Sequence, residues 1–285
     1  MTVSTVGLVV HTLRPSAVEL AGRAAAWLDE RGHRAVVPPS EAEATGVPAW
    51  ECDGDRIRTP IDVALSIGGD GTMLRAVDLL APHDVPVLGV NVGHLGYLTE
   101  VEPAEVEEAL GRVLAGDFTI DARMTLEVEV AGGEHGGRHV VLNEAVVEKT
   151  ESGHTIRLAV CINDQFFTTY ATDGVIVATP TGSTAYALSA RGPIVSPRHR
   201  ALLLTPVAPH MLFDRTLVLD DLESISLEVI DGRGASLSLD GRQAGRLANG
   251  ESITCRAGPH DARLVTFGKR DFHQILKTKF GLADR

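Results

Sequence analysis

Aromatic residues are sparse in this 285-residue chain, at 4%, although 44% of it is hydrophobic, so the composition supports a sizeable core. Cysteine is nearly absent. Cys52, Cys161 and Cys255 stand far apart with no CxxC pair, which excludes a disulfide framework and a structural zinc site and fits a reduced cytosolic protein. The eleven histidines form no HExxH and no cluster of metal-ligand spacing. Basic residues are outnumbered 26 to 38, for a net charge of −12. That argues against non-specific nucleic-acid binding, and any anionic ligand must be met by local positive features. No apolar run reaches the roughly 18 residues of a membrane helix, and the N-terminus has no signal-peptide core. We expect a soluble cytoplasmic protein with no nucleic-acid or membrane partner.

Several motifs are missing as well. There is no GxxxxGK[ST], no HRD or DFG set, and no GxSxG, which speaks against a P-loop enzyme, a protein kinase and an α/β-hydrolase. The first strand-to-helix junction, "VVHTLRPS", lacks the GxGxxG dinucleotide fingerprint.

What the chain does have is a clear change of rhythm. "STVGLVVH" reads as a buried strand. A helix follows from Pro15, with Val18, Ala21, Ala25 and Leu28 at helical spacing and a stop at Gly32. "RAVVPP" is a second strand, residues 40–60 read as an irregular loop, and "IDVALSI" and "VPVLGVN" are further strands separated by a helix to about Leu80. "PAEVEEALGRVLAG" is another Pro-started helix. This is an α/β N-terminal domain, Rossmann-like, with a mainly parallel sheet over residues 1–116. From Asp117 short strands take over, divided by turn signals such as Asn163-Asp164, Asp231-Gly232 and Asn249-Gly250, and "ARLVTF" closes the series. They predict a β-rich, sandwich-like C-terminal domain over 117–267. The tail 268–285 returns to helical spacing through Phe272, Ile275, Leu276 and Phe280, and is expected to join the core of the first domain.

Three stretches carry chemistry. In "LSIGGDGTMLRAVDLL", a strand stops at Gly68-Gly69 and a helix starts around Asp70, Gly71 and Thr72. Asp70 or Thr72 can act as a helix cap there. Equally, the glycines let a ligand approach the backbone, the helix N-terminus attracts phosphate, and Asp70 stands at the mouth. Three glycines around one acid exceed what a cap requires. In "TDGVIVATPTGSTAYALS", five hydroxyl-bearing residues (Thr179, Thr181, Ser183, Thr184, Tyr186) supply either ordinary turn chemistry or contacts to ribose, phosphate or amide groups. The third is Asn143-Glu144, a polar pair inside the apolar strand "VVLNEAVVEK", which needs partners from the backbone or from a ligand.

Taken together, GGDGT at 68–72, "NVGHLGYL" at 91–98, Asn143-Glu144, "TDGVIVATPTGSTAYALSARGP" and "SLDGRQ" resemble a bacterial-type NAD kinase. GGDGT alone is shared with diacylglycerol kinases and phosphofructokinases, so a lipid or small-alcohol kinase is the alternative enzyme and an NAD(H)-sensing module the non-enzymatic one. The resemblance implies transfer of a phosphoryl group from ATP or polyphosphate to the 2′-hydroxyl of the adenosine ribose of NAD, giving NADP. It implies a divalent cation, Mg²⁺ or Mn²⁺, held through substrate phosphates, and a homodimer or homotetramer. By position, Asp70 resembles the general base. Gly68, Gly69, Gly71 and Thr72 resemble the phosphate loop, with Arg75 one turn on. Asn143, Glu144, His154, Ala171, Asp173, Thr184, Ala185, Tyr186, Ser189 and Gln243 are similar to NAD contacts.

Overall fold

The unbroken apolar run of β1 (Thr5–Val10) is buried along its whole length, as a parallel strand covered on both faces requires. The computed structural model describes residues 3–54, 56–93, 96–132, 136–230, 232–268 and 271–282; His94, Leu95 and Asp231 of the motifs above lie outside them. After β1 come α1 (Pro15–Asp29), β2 (Arg34–Val36), α2 (Ala42–Thr45), the short strands β3 (Cys52–Asp53) and β4 (Arg56–Ile57), then β5 (Val63–Gly68), α3 (Asp70–Leu80), β6 (Val87–Asn91), α4 (Val106–Leu114) and β7 (Thr119–Arg123). The sheet runs β2–β1–β5–β6, then the late strand Ala262–Thr266, then β7. β1, β2, β5 and β6 pair in parallel, and Leu264 joins Val87 in the same sense.

Strand alternation explains the layers. Val63, Leu65 and Ile67 of β5 share one apolar cluster with Leu20, Ala24 and Leu28 of α1 and Leu110 of α4. The alternate residues point to α3, whose Thr72 lies over Gly68. The carboxyl ends of β1, β5 and β6 therefore finish along one edge of the sheet, where open α/β sheets take ligands.

Two compact units result, residues 1–122 with 262–285, and residues 123–261. The division at 122 and 261 replaces the one expected at 116 and 267. "ARLVTF" is a strand as predicted, but its partner is β6 of the first sheet. Residues 40–60 are also more ordered than their Glu, Pro and Gly content suggests, with a 3₁₀ turn at Pro39–Glu41, α2 and the β3–β4 hairpin. The C-terminal helix (Phe272–Phe280) clusters with the first unit, yet none of its residues is buried and Phe280 is 48% exposed. Its apolar stripe is half-covered on the surface and does not enter the core.

The second unit is a sandwich. It contains β8 (Leu126–Ala131), β9 (Gly137–Val141), β10 (Glu144–Glu148), β11 (Ile156–Ile162), β12 (Gln165–Thr172), β13 (Gly174–Ala178), the one-turn helix α5 (Tyr186–Ser189), β14 (Leu202–Val207), β15 (Leu217–Leu219), β16 (Ile225–Val229), β17 (Ala235–Leu239), β18 (Arg242–Leu247) and β19 (Ser252–Ala257). One sheet is ordered β15–β14–β13–β10–β17–β18 and the other β12–β11–β16–β19–β8–β9. Leu158, Leu227 and Ile253 from the second sheet meet Val147, Val177 and Leu237 from the first in one core. β10 and β13 are covered twice, because Val146, Ile176 and Ala178 on the outer face pack with Ala187 of α5. That is why "EAVVE" and "GVIVA" lack the alternation seen in β11. Asn163 and Asp164, with φ of 52° and 62°, make the two-residue β11–β12 turn that their identity predicts.

Candidate active site

In the first unit, α3 starts without a side-chain cap. Gly69 occupies the N-cap position, and only Thr72 and Met73 bond back to its carbonyl. Asp70 turns away from its own helix. Its Oδ2 accepts the Tyr97 N–H at 2.8 Å and its Oδ1 the Leu98 N–H at 3.0 Å, both from the loop after β6. This leaves the first N–H groups of α3 exposed to an anion, and each Asp70 oxygen keeps lone-pair capacity. Burial, and then the Asp70 charge, push the Tyr97 phenol up from its usual value.

The three glycines divide by the space around them. A Cβ at Gly68 would lie 2.2 Å from Thr72 Oγ1, so Gly68 admits the packed helix, and Thr72 is buried over it. Around Gly69 and Gly71 no atom of the described residues stands within 4 Å of a would-be Cβ. Those two glycines leave open space beside the backbone, whereas Gly68 is filled by Thr72.

Arg75 faces the protein. Its Nη2 donates to the Val10 carbonyl at 2.8 Å and lies 2.5 Å from Glu41 Oε1, while Glu41 Oε2 accepts the Val10 N–H at 2.6 Å. Glu41 is 1% exposed, and burial raises its carboxyl against the lowering effect of Arg75. The cation expected beside the phosphate loop is thus already balanced by a carboxylate from residues 40–60. Arg14, before Pro15, has no carboxylate partner among the described residues, and its guanidinium lies against Gly93 beyond β6. A lone arginine in "VVHTLRPS" carried no motif by which sequence reasoning could have found it.

In the second unit the Asn143-Glu144 pair and the TPTGSTAY segment come together. Thr179 donates its hydroxyl to the Leu142 carbonyl at 2.6 Å and its N–H to the Asn143 carbonyl at 2.9 Å. A Cβ at Gly182 would lie 2.3 Å from the Asn143 oxygen, so the segment packs backbone to backbone on this turn. Ser183 bonds Val195, and Thr184 bonds the Thr181 carbonyl, which makes both hydroxyls structural. The Asn143 side chain is half-buried and has no hydrogen-bond partner among the described residues. Glu144 is buried and accepts the Tyr186 N–H. Ala185 joins the 3₁₀ turn Thr181–Thr184 to α5, and Tyr186 and Ser189 are exposed on α5.

Asp173 lies at the far end of the same ladder, just before β13, and Ala171 lies on β12 of the other sheet, opposite Arg157 of β11. Glu144 pairs Ala178 and Glu148 pairs Gly174, so Asn143 and Asp173 sit at opposite ends of β10 and β13, about 17–20 Å apart at ~3.3 Å per residue. Asp173 is paired with Lys149 at 2.7 Å, a residue that sequence reasoning passed over. Tyr186 spans part of the gap: burial raises its phenol, followed by the charges of Glu148 and Asp173. His154, on the β10–β11 loop, neighbours Arg233 at 3.5 Å. Gln243 lies on the edge strand β18 and bonds Ser236 at 2.9 Å. The geometry thus gathers Asn143, Glu144, Thr184, Ala185, Tyr186 and Ser189, and leaves Ala171, Asp173, His154 and Gln243 apart from them.

Family models match most of the chain. Residues 6–118 match the ATP-NAD kinase N-terminal domain and residues 142–267 the ATP-NAD kinase C-terminal domain. The chain belongs to the NAD kinase family. An NAD kinase of Heliobacterium modesticaldum is 42% identical over 278 residues, covering 96% of this chain and 98% of that one. An NAD kinase of Chlorobaculum tepidum is 38% identical over 277 residues, 95% of each chain. Among solved structures, yeast NADH kinase complexed with NADH superimposes with a TM-score of 0.88 at 26% identity, covering 100% of this chain and 89% of that one. An NAD kinase from Archaeoglobus fulgidus in complex with ATP shares the fold, with a TM-score of 0.73 at 24% identity over 98% of this chain and 99% of that one. Family membership makes the chain an NAD kinase-type phosphotransferase with NADP as product.

Proposed function

We propose that the protein transfers a phosphoryl group from ATP, or from polyphosphate, to the 2′-hydroxyl of the adenosine ribose of NAD, with Asp70 as general base. The observation that carries this is the start of α3: a carboxylate held off its own helix, next to two glycines with open space and uncapped N–H groups. The donor phosphates lie against Gly69 and Gly71, where the helix N-terminus offsets their charge without help from Arg75. Asp70 takes the proton of the ribose hydroxyl as that oxygen bonds to the transferred phosphorus, while the bond from phosphorus to the donor breaks and ADP, or the shortened polyphosphate, leaves with the electron pair. Asn143, Glu144, Tyr186 and Ser189 bind NAD through hydrogen bonds, with Thr184 and Ala185 shaping the turn that carries them. Asp173, Ala171, His154 and Gln243 contribute further contacts.

Among the described residues no three His, Cys, Asp or Glu side chains gather to hold a metal. A divalent ion such as Mg²⁺ would instead be carried on the substrate phosphates, where it would neutralise developing charge. We also assign the protein to the cytoplasm, in keeping with its three free cysteines and the absence, among the described residues, of any helix long and apolar enough to cross a membrane. A homodimer or homotetramer fits the apolar side chains on the edge strand β12, where Phe166 is 67% and Phe167 41% exposed. Incubating the protein with NAD, Mg²⁺ and either ATP or polyphosphate, and assaying NADP, tests the reaction and names the donor. NAD binding without NADP formation would reveal a sensor, and phosphorylation of a lipid alcohol alone would reveal a lipid kinase.

A further inference from the structure

Asp240 and Gly241 form the two-residue turn between β17 and β18, with φ of 48° and 73°. The Asp240 carboxylate folds back onto the start of β10. Its Oδ2 accepts the Leu142 N–H at 2.8 Å, and its Oδ1 accepts the N–H groups of Asn143 at 2.8 Å and Glu144 at 3.0 Å. Its own N–H donates to the Glu144 carbonyl at 3.0 Å. One buried side chain thereby holds three successive amides. Beside it the Glu144 carboxyl is 6% exposed, and its Oε2 is buried with no hydrogen-bond partner.

Two buried carboxyl groups this close do not both ionise cheaply. Asp240 has three N–H donors to stabilise its charge, whereas Glu144 accepts only the Tyr186 N–H, so the proton resides on Glu144. We propose that Asp240 is a positioning residue of the NAD site: it sets the backbone of Asn143 and Glu144 and, through its charge, presents Glu144 to NAD as a neutral hydrogen-bond donor. This rests on the kinase reading above. A neutral carboxyl can donate to a ribose hydroxyl or ring nitrogen without repelling the anionic dinucleotide, which matters on a chain of net charge −12. Burial, and after it the Asp240 charge, push Glu144 up to about 8. Burial raises Asp240 too, opposed by its three N–H bonds and the charge of Arg242. Besides each other, the two carboxyls face the charge of Arg242 on β18. From α5 comes Tyr186, whose phenol faces Glu148 and Asp173, the latter paired with Lys149.

The test is the KM for NAD of the intact protein across roughly pH 6.5 to 9.5. In the wild type KM should stay level and then rise above about 8, approaching about tenfold per pH unit as one proton is lost. Asp240→Asn keeps a residue type suited to positive φ but removes the charge, and should move the midpoint down by about one pH unit or more. Glu144→Gln should abolish the titration. A flat wild-type profile, an unmoved midpoint in Asp240→Asn, or a titration that survives Glu144→Gln would overturn the assignment. A substrate-free measurement decides the proton even if Asp240→Asn does not fold or no NADP is formed. With Glu144 raised from 4.5 to about 8, its proton stabilises the fold at low pH and that stabilisation is lost as pH rises towards 8. The Tm advantage of wild type over Glu144→Gln should therefore shrink between those values, and a constant gap would place the proton elsewhere. Absence of NADP formation from every donor would defeat the kinase reading separately.

Discussion

Asp70 owes its position to amides from another loop, and its neighbours are constrained accordingly. Asp70→Asn keeps the shape but loses the base, so kcat should fall at least about a hundredfold, within the 10²–10⁴ typical of general-base removal. Its stability should fall by about 1–3 kcal/mol, because no helix cap is removed but the Asn amide nitrogen cannot accept one of the two loop N–H bonds. Turnover near wild type would make Asp70 a positioning group. Gly96→Ala tests the same geometry from the other side. A Cβ there would lie 2.1 Å from Asp70 Oδ1, so the carboxylate must shift, and kcat should drop by about tenfold or more although the new methyl performs no chemistry. Steady-state kinetics alongside thermal melts would separate the two effects. At this scale the sequence is legible only in part. Gly68, Gly69 and Gly71 look equivalent in a string, and only the packing of Thr72 shows that one is filled and two are open. Thr179 and Ser183 likewise advertised hydroxyls that the fold spends on its own backbone.

Among the elements, the strands and helices of the first half were readable because their periods are strong: five buried residues of α1 recur along one face. The 3₁₀ turn at Pro39–Glu41 was not readable, since its meaning lies in one buried carboxylate that closes against Val10 and Arg75 across the fold. Glu41→Gln would leave the Arg75 charge unbalanced at the end of β1. Breaking a buried pair costs about 3–5 kcal/mol, and because Arg75 is a third exposed the loss here should be nearer ~2–3 kcal/mol. Urea denaturation at constant m-value would measure it, and a loss below ~0.5 kcal/mol would show the pair to be ornamental. The C-terminal helix misled in the opposite direction. Its apolar spacing promised a core element, but it meets the first unit at its surface, with Lys279 4.4 Å from the Tyr97 ring centre. Removing residues after Gly268 should therefore lower Tm by only a few degrees and leave the chain folded, as circular dichroism would show. Collapse into insoluble protein would mean that the half-covered stripe matters more than its burial suggests.

For the molecule as a whole, exposed aromatic residues are few, and several of them lie together. Phe167 stacks edge-on against Phe213 at 5.8 Å beside the fully exposed Leu212. If β12 mediates assembly, Phe166→Glu with Phe167→Glu should shift sedimentation from the dimer or tetramer to the monomer. An unchanged sedimentation profile would place the contact elsewhere. One topological fact about the first sheet has a further consequence. The strand Ala262–Thr266 lies between β6 and β7, and among the described residues it is β7's sole neighbour in the sheet. During ribosomal synthesis β7 therefore emerges long before the strand that must hold it, while residues 123–261 form a continuous unit able to fold first. The sheet closes only after residues 262–266 have been made, so a product that stops before them exposes two unpaired strand edges. The order of translation thus leaves the first unit incomplete until the strand Ala262–Thr266 arrives.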